Sequence, residues 1–432
     1  MILSAALRYL NQHINLEATG GKTEGLSLER MASLVGVLGD PQRAYPVIHI
    51  TGTNGKGSVA RMVTELLEAS GLSVGTYTSP HLEVINERIS WNGEPISDED
   101  LGLTIGTVAS VEEVAGITPS YFEILTAAAF NWFADIAVDV AVVEVGMLGR
   151  FDATNVADAT VAVLTNVGHD HTDGVGNWRE AIAAEKVGIV KPGCTFVCGE
   201  TDPALRKILG ENEAEATWWR GEQFDCGQSL LALGGRTVSL STPSGTIEDV
   251  FLPLHGEHQA DNAAVALAAV EAFFTRRLDD EVVEEAFAKV RVPGRFEIVS
   301  REPTVVLDAA HNLDGARACA VTLREEFTLA GTVIVVAGFL NGRDPAEMLQ
   351  ALGAADAGFL IACTPDSPRA IPAPVVAAAA DGLGIVAEAI SSVDQAVHRA
   401  LGLASPDDLV LITGSLYVVG PARTLIRTEV DA

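Results

Sequence analysis

Short runs of aliphatic residues alternate with helical patterns along most of the chain. The run VIHIT, residues 47–51, predicts a buried strand, and the stretch from about Ser58 to Ala69 predicts a helix that ends before Gly71. Because buried strands separated by helices pair in parallel, we predict an α/β fold built on a doubly wound, mostly parallel sheet. Further strands are predicted at residues 73–78, 138–145 and 159–167.

Changes of pattern later in the chain indicate two domains. Residues 217–254 alternate short runs with turn residues, which predicts a small β-rich insertion. The Pro-Gly break in VPGRFE, residues 292–297, is typical of a linker, and a new series of strands and helices follows it. Since 432 residues exceed one ordinary hydrophobic core, we predict a first domain over residues 1–294 and a smaller, Rossmann-like α/β domain over residues 295–432.

The net charge of −30, from 58 acidic and 28 basic residues, limits the partners of the chain. Such a field repels nucleic acids and anionic lipids, so we predict neither as a partner. No apolar run reaches the roughly 18 residues that span a bilayer, the N-terminus lacks a signal-peptide pattern, and the five cysteines lack a metal-ligand spacing. We therefore predict a cytoplasmic protein in which any anion site concentrates positive charge or a metal.

The segment GTNGKGS, residues 52–58, lies between the first predicted strand and the helix after it. Backbone N–H groups in such a loop bind phosphate oxygens, and a lysine adds a point charge. The segment departs from the G-x-x-x-x-G-K-[ST] pattern, because Ile50 replaces the first glycine and Gly57 precedes the serine. The alternative is a glycine-rich turn without a ligand. The predicted nucleotide contacts are Thr53, Asn54, Gly55, Lys56, Gly57 and Ser58.

This loop resembles the phosphate loop of the Mur ligase family, and eight further segments narrow the resemblance to the folylpolyglutamate synthase/dihydrofolate synthase enzymes. The segments occur in the family's order: SPHLEVINERI (79–89), YFEILTAAAF (121–130), EVGMLGRFDATN (144–155), GHDHTDGVGNWREAIAAEKVGIVKPG (168–193), HGEHQADNAA (255–264), PGRFE (293–297), DAAHNLDGA (308–316) and TGSLYVVGPAR (413–423). The chain departs from the family pattern at Met147 and Leu148, and at NGRDP, residues 341–345, where Arg343 keeps the charge of the usual lysine.

The resemblance implies an ATP-dependent ligase that joins L-glutamate to dihydropteroate or to a reduced folate in folate biosynthesis. ATP would phosphorylate the acceptor carboxylate, and the amine of glutamate would attack the acyl phosphate. Lys56 and Mg²⁺ would neutralise charge on the transferred phosphoryl group. The implied partners are small molecules only, and the resemblance favours a monomer. The alternatives are a peptidoglycan-type Mur ligase and, outside the family, a P-loop kinase or a nucleotide-binding regulator.

The resemblance also implies two Mg²⁺ sites beside the loop. Glu144 and Ser79 would hold one ion, with Ser58 as an additional ligand, and His171 would hold the other. Glu144 ends a predicted buried strand, where ligands of parallel sheets gather, although a carboxylate there can simply cap a turn. Lys186 would carry a carbamate that helps to bind metal, and the alternative is an exposed lysine on a helix. The implied catalytic set is Lys56, Lys186 and His171.

The remaining site residues are also implied by the resemblance. Asn262, Arg295 and Asp308 match nucleotide contacts on both sides of the linker, which predicts that ATP binds between the domains. Helix capping is the alternative for Asn262. The aromatic residues Tyr121 and Phe122, which match an acceptor-binding segment of the family, could equally belong to the core. The implied acceptor-binding and glutamate-binding residues are Gly25, Leu26, Ser27, Leu28, Ser120, Tyr121, Phe122, Glu123, Phe151, Asp152, Ala153 and His311.

Overall fold

The computed structural model describes residues 1–19, 27–169, 176–328 and 330–430. The chain forms two compact units, the first comprising Met1–Pro253 and Gln259–Arg291, and the second Leu254–His258 and Val292–Ala432. Among the described residues, no helix combines the length and the apolar character needed to cross a membrane.

The first unit is built on an eight-stranded sheet with the order β4-β3-β2-β5-β1-β6-β7-β8. Its strands are β1 (Val47–Thr51), β2 (Val74–Tyr77), β3 (Ile89–Trp91), β4 (Glu94–Pro95), β5 (Val140–Glu144), β6 (Ala159–Leu164), β7 (Thr195–Cys198) and β8 (Ala216–Trp219). From β2 to β8 all neighbours pair in parallel, and β3 and β4 form an antiparallel edge. Every residue of β1 and β5 is buried, which explains their continuous aliphatic runs.

Ten α-helices occur among the described residues between Met1 and Arg291. They are α1 (Leu3–Leu10), α2 (Leu16–Thr19), α3 (Glu29–Val37), α4 (Lys56–Ala69), α5 (Asp98–Ala115), α6 (Tyr121–Asp135), α7 (Trp178–Lys186), α8 (Arg206–Gly210), α9 (Glu257–Phe274) and α10 (Asp280–Lys289). Helix α4 ends as predicted, since Gly71 adopts a φ of 87° and its N–H group bonds to Glu68 O.

The predicted β-rich insertion forms an antiparallel sheet of β9 (Asp225–Ala232), β10 (Gly235–Thr242) and β11 (Gly245–Leu252). Its first predicted residues instead form β8, which extends the main sheet.

The second unit has a six-stranded sheet with the order β12-β13-β17-β14-β15-β16. Only β12 is antiparallel to its neighbour within this sheet. The strands are β12 (Glu297–Arg301), β13 (Thr304–Asp308), β14 (Val333–Ala337), β15 (Phe359–Ala362), β16 (Ala387–Ala389) and β17 (Leu409–Thr413). The helices are α11 (Leu313–Glu326), α12 (Pro345–Ala351), α13 (Ala373–Gly382), α14 (Val393–Leu403) and α15 (Leu416–Val430). The predicted α/β fold, with a parallel-rich sheet in each unit, is confirmed.

Candidate functional site

The carboxyl ends of the central parallel strands gather the residues of the first unit's candidate site. The loop after β1 leads into α4, Ser79 follows β2, and Glu144 is the last residue of β5. Since parallel strands all end at the same edge of a sheet, these residues meet although they are distant in sequence.

Two glycines allow the loop after β1 to approach its neighbours closely. A Cβ atom at Gly52 would lie 1.8 Å from Thr165 Oγ1, and one at Gly55 would lie 2.5 Å from Asn262 Oδ1. Gly55 also has a φ of 85°, which side chains rarely tolerate. The loop therefore requires glycine at both positions for steric reasons.

The residues after β6 fix the backbone of this loop. Thr53 N donates to Asn166 O at 3.0 Å, and Asn54 N donates to Asn166 Oδ1 at 3.0 Å. Thr165 Oγ1 donates to Asn54 O at 2.6 Å. The N–H groups of Thr53 and Asn54 are thus already engaged, so a phosphate would meet the first turn of α4. Intrahelical bonding there begins with Val59 N to Gly55 O, which leaves the first-turn N–H groups facing the loop.

Two lysine ammonium groups meet at one carbonyl of the loop. Lys56 Nζ donates to Gly52 O at 3.1 Å and to Thr53 O at 3.3 Å. Lys186, the last residue of α7, donates from Nζ to Gly52 O at 2.7 Å, and its side chain is 3% exposed. The alternative of an exposed helical lysine is therefore wrong. These lysines supply the local positive charge that an anion site needs in so acidic a chain.

A buried carboxylate lies beside the same loop. Glu144 is 4% exposed, and its Oε2 accepts a hydrogen bond from Ser79 N at 3.2 Å. The same oxygen lies 3.7 Å from the position of a Cβ atom at Gly57. A carboxylate with serine hydroxyls at positions 58 and 79 is a hard oxygen donor set, which fits Mg²⁺.

The second implied metal site involves His171 and Lys186. His171 lies outside the described residues. Among the residues that the structure describes, no group of three or more His, Cys, Asp or Glu side chains could hold a metal ion. Of the residues implied for the second ion, Lys186 has a described position and His171 has none.

Asn262 lies inside α9, in its second turn, and does not cap the helix. Its Nδ2 donates to Gln259 Oε1 at 2.9 Å, and both side chains are buried. The capping alternative is therefore wrong. Its Oδ1 faces Gly55, so the amide forms one wall of the phosphate loop.

In the second unit, Asp308 closes the turn that carries Arg295. Asp308 Oδ2 accepts from Phe296 N and Oδ1 from Ala310 N, both at 2.9 Å. Burial raises the pKa of Asp308, and the nearby Arg295 guanidinium opposes that rise. The buried Cys319 thiol also opposes the rise in the pKa of this carboxyl. Asp308 thus has a structural role whether or not it also contacts a ligand.

The turn after β13 brings a histidine and an arginine together. His311 Nδ1 lies 3.1 Å from Ala309 O, so this nitrogen carries the proton, since a carbonyl only accepts. Arg295 Nη1 donates to the same carbonyl at 3.1 Å. Arg343, the cation of the unusual NGRDP segment, donates from Nε to His311 O at 2.9 Å. The departure from the family pattern therefore still places a positive charge beside this turn.

The predicted acceptor residues at the start of α6 have clear structural roles. Ser120 and Glu123 form a capping box, with Ser120 N donating to Glu123 Oε2 at 2.7 Å and Glu123 N to Ser120 Oγ at 3.2 Å. Tyr121 is buried in the core, and Phe122 packs against that core. The alternative reading of both aromatic residues as core residues therefore agrees with their packing.

The other predicted acceptor residues lie in two segments, residues 151–153 and residues 25–28. Phe151 is 45% exposed, whereas Asp152 and Ala153 beneath it are buried. Ser27 Oγ accepts from Glu29 N at 3.1 Å, and Leu28 directly precedes α3. Gly25 and Leu26 lie outside the described residues. Among the described residues of this predicted set, Phe151 is the exposed hydrophobic one.

A buried ion pair near these residues was missed by the sequence analysis. Arg88 is 2% exposed and donates to both carboxylate oxygens of Glu17, at 3.0 and 2.6 Å. Arg88 Nε also donates to His81 Nδ1 at 2.9 Å, and burial together with Arg88 lowers the pKa of His81 to about 4. The guanidinium lies 5.7 Å from the Tyr121 ring centre. His81 and Arg88 occur within a matched segment, but nothing in the sequence connects either to Glu17.

Comparisons with known proteins show the family of the chain. The Mur ligase middle domain matches residues 50–270, and the glutamate ligase domain of Mur ligases matches residues 294–416. A dihydrofolate synthase/folylpolyglutamate synthase of Mycobacterium tuberculosis is 40% identical to this chain over an alignment of 442 positions. The alignment covers 93% of this chain and 90% of the relative.

Solved structures of similar proteins contain nucleotides. Folylpolyglutamate synthase of Mycobacterium tuberculosis, complexed with ADP and AMPPCP, has a TM-score of 0.91 at 39% identity and covers 98% of both chains. A bifunctional folylpolyglutamate synthase/dihydrofolate synthase with Mn, AMPPNP and L-glutamate bound has a TM-score of 0.86 at 30% identity, covering 99% of this chain and 98% of the other. The chain therefore belongs to the Mur ligase family, in its folylpolyglutamate synthase/dihydrofolate synthase branch.

Proposed function

We propose that this chain joins L-glutamate to the carboxylate of dihydropteroate or of a reduced folate, and that ATP is converted to ADP and phosphate. Membership of the family makes the chain an ADP-forming acid–amino-acid ligase. The observation that carries the residue assignment is the convergence of the Lys56 and Lys186 ammonium groups on Gly52 O, with buried Glu144 beside the same loop. Such an arrangement suits a polyphosphate and its counter-ion.

The residues of the loop bind and orient the nucleotide in this proposal. The first-turn N–H groups of α4 and the Lys56 ammonium group hold the phosphate oxygens, and Lys56 stabilises charge on the phosphoryl group during transfer. The Asn262 side chain, which lies against Gly55, forms a wall of the loop. We assign Thr53 and Asn54 to the shape of the loop, because their N–H groups donate to Asn166.

The reaction needs no nucleophile from the protein. An acceptor carboxylate oxygen attacks the γ-phosphorus, and the bond to the ADP oxygen breaks. The amine of glutamate then attacks the acyl carbon, loses a proton, and phosphate leaves as the amide forms. The protein's contribution is to align the reactants and to stabilise negative charge.

Glu144 and Ser79, with Ser58, would hold a divalent cation, which supplies Lewis acidity at the phosphates when it is bound. We extend the proposal to a second ion held by His171 and by a carbamate on Lys186. The position of Lys186 Nζ at the phosphate loop supports this extension, because a carboxylate-like group there would lie beside the nucleotide. The loaded state would require Lys186 to leave Gly52 O.

Acceptor and glutamate binding complete the assignment. For the acceptor we propose the exposed Phe151 side chain with the buried Asp152 and Ala153 next to it in the chain, the residues at the start of α6, and the segment from Gly25 to Leu28. For the second unit we propose that Arg295, Asp308 and His311 serve nucleotide or glutamate binding. The proposal includes a monomeric enzyme in the cytoplasm with small molecules as its partners.

A coupled ADP assay tests the function directly. ADP formation should require Mg²⁺, a folate-type acceptor and L-glutamate together, and mass spectrometry should detect an acceptor heavier by one glutamyl residue. ADP formation with acceptor alone, accompanied by a stable phosphorylated product, would identify a kinase instead. A matching assay with a peptidoglycan precursor as acceptor should give no ADP.

A further inference from the structure

Residues 147–154, which we call the acceptor segment, carry Phe151 and Asp152 and are bonded to the central strand β1. Thr51 Oγ1 donates to Leu148 O at 2.6 Å, and His49 Nε2 lies 2.8 Å from Thr154 Oγ1. His49 and Thr51 are two residues apart on a strand, so their side chains project from the same face of the sheet. One face of β1 therefore holds both ends of the acceptor segment.

The hydrogen-bond directions at His49 follow from its partners. Both oxygens of Asp152 accept backbone N–H groups, Oδ1 from Thr154 N at 3.0 Å and Oδ2 from Met147 N at 2.9 Å, and these bonds favour the ionised carboxylate against the burial that raises its pKa. The Thr154 hydroxyl therefore donates to Asp152 Oδ1, and its oxygen accepts from His49 Nε2–H. His49 is thus a neutral imidazole with its proton on Nε2.

Stability alone does not explain a histidine at this position. His49 is 0% exposed, and its Nδ1 has no hydrogen-bond partner among the residues that the structure describes. Burying an acceptor without a donor costs free energy, which an aliphatic side chain of similar size would avoid. The compensating feature is the bond to Thr154, which fixes the hydroxyl and, through it, the Asp152 carboxylate.

The backbone of the acceptor segment also needs support from outside. Leu148 has a φ of 58°, a conformation that a leucine adopts only when its surroundings impose it. Its carbonyl is the group that accepts the Thr51 hydroxyl. Thr51 directly precedes Gly52, so the strand that positions the acceptor segment also carries the phosphate loop.

We propose that His49 and Thr51 are positioning residues that set the acceptor segment in register with the phosphate loop. They act through Thr154, Asp152 and Leu148, and neither touches a reactant. This inference rests on the proposed function, because it takes Phe151 as part of the acceptor site. Loss of the His49–Thr154 bond should weaken acceptor binding and leave nucleotide binding intact.

Steady-state kinetics of His49→Leu and Thr154→Val test the proposal. His49→Leu should raise KM for dihydropteroate about ten-fold, the effect of one lost buried hydrogen bond with its partner left unpaired. Thr154→Val should raise this KM at least as much, because it also removes the bond to Asp152. KM for ATP and kcat should change less than about two-fold, because the phosphate loop keeps its contacts. The double variant should show the KM of Thr154→Val alone, since that substitution already removes the His49–Thr154 bond together with the Thr154–Asp152 bond.

Conservative and control variants separate positioning from packing. His49→Gln retains a donor and Thr154→Ser retains the hydroxyl, so both should stay near the wild-type KM. Ile48→Val, on the opposite face of β1, should lower stability without a selective change in acceptor KM. If His49→Leu fails to fold, the Thr154→Val and Thr154→Ser pair carries the same comparison.

The results distinguish this inference from the proposed function. A wild-type enzyme that forms no glutamylated product would overturn the proposed function itself. Active wild type with unchanged acceptor KM in folded His49→Leu and Thr154→Val would overturn only the positioning role. Parallel increases in KM for ATP and for acceptor would also overturn the positioning role, because they would indicate a general disturbance of β1.

Discussion

The phosphate loop and the acceptor segment follow strands of the same sheet, yet the chain holds them in different ways. The phosphate loop depends on glycine conformation, a helix N-terminus and backbone partners after β6. The acceptor segment depends on side-chain hydrogen bonds from β1 and on a leucine with positive φ. Contacts distant in sequence hold both regions, and the phosphate loop adds the local chemistry of its glycines and of the helix that follows it.

The largest expected effect is at the phosphate loop. Lys56→Ala should lower kcat/KM by roughly 10²–10³-fold, because it removes a preorganised charge at the transferred phosphoryl group. The fold should persist, which circular dichroism can verify. Lys207→Ala is the matched control, since that side chain is 87% exposed. Near-normal turnover of Lys56→Ala would mean that the nucleotide binds elsewhere.

Lys186 contacts both regions, because its Nζ donates to Gly52 O and its carbonyl oxygen would lie 2.9 Å from a Cβ atom at Gly149 of the acceptor segment. Lys186→Ala should be nearly inactive, with a loss on the order of 10²-fold, and acetate should restore part of the rate if a carbamate is required. Carbon-13 NMR of enzyme equilibrated with labelled CO₂ and Mg²⁺ should show a carbamate signal that Lys186→Ala lacks. Full activity of this variant would remove Lys186 from the site.

The pH dependence of stability probes the buried histidine beneath the acceptor segment. Burial, assisted by Lys191, lowers the pKa of His49 from 6.5 to about 3. Between these two pKa values the His49 imidazole is protonated in the unfolded chain and neutral in the folded chain. The free energy of unfolding therefore has its full value above pH 6.5 and decreases as the pH falls below 6.5.

Wild type should therefore lose about 1 kcal/mol more than His49→Gln between about pH 7.5 and about pH 5.5. Urea unfolding at the two pH values measures this difference. An equal loss of unfolding free energy in wild type and variant would show that the pKa of His49 is the same in the folded and the unfolded chain.

The smallest expected effect concerns Ser120, which both caps α6 and matches an acceptor-binding segment. Ser120→Ala should lower the free energy of unfolding by about 1 kcal/mol through loss of the cap. Ser392→Ala, which removes the cap of α14 in the second unit, is the matched control for stability. A rise in acceptor KM confined to Ser120→Ala would show that its hydroxyl also contacts the acceptor.

Much of the fold was predictable because its signals are local. Buried strands such as β1 and β5 read as aliphatic runs, and Gly71 marks the end of α4. The start of α4 was predicted two residues late, because the glycines before Ser58 mask the helix that begins at Lys56. The first part of the β-rich insertion was assigned wrongly, since an edge strand such as β8 lacks a continuous buried run.

The site was predictable to a smaller extent. The loop and Glu144 follow from strand ends, which sequence patterns reveal. The bond from His49 to Thr154 spans 105 residues, and that from Arg88 to Glu17 spans 71, so neither pair shares a motif. A histidine within an aliphatic strand was the available signal for the first pair. The hydrogen-bond partner of this histidine depends on tertiary contacts alone.

Oxygen-18 transfer tests the proposed ligase chemistry most directly. Dihydropteroate labelled with oxygen-18 in its carboxylate should be incubated with ATP, Mg²⁺ and L-glutamate, and the inorganic phosphate analysed by mass spectrometry. Attack of the carboxylate on the γ-phosphorus, followed by release of phosphate from the acyl carbon, predicts one labelled oxygen in each phosphate released. Formation of the glutamyl amide with unlabelled phosphate would contradict the acyl-phosphate route.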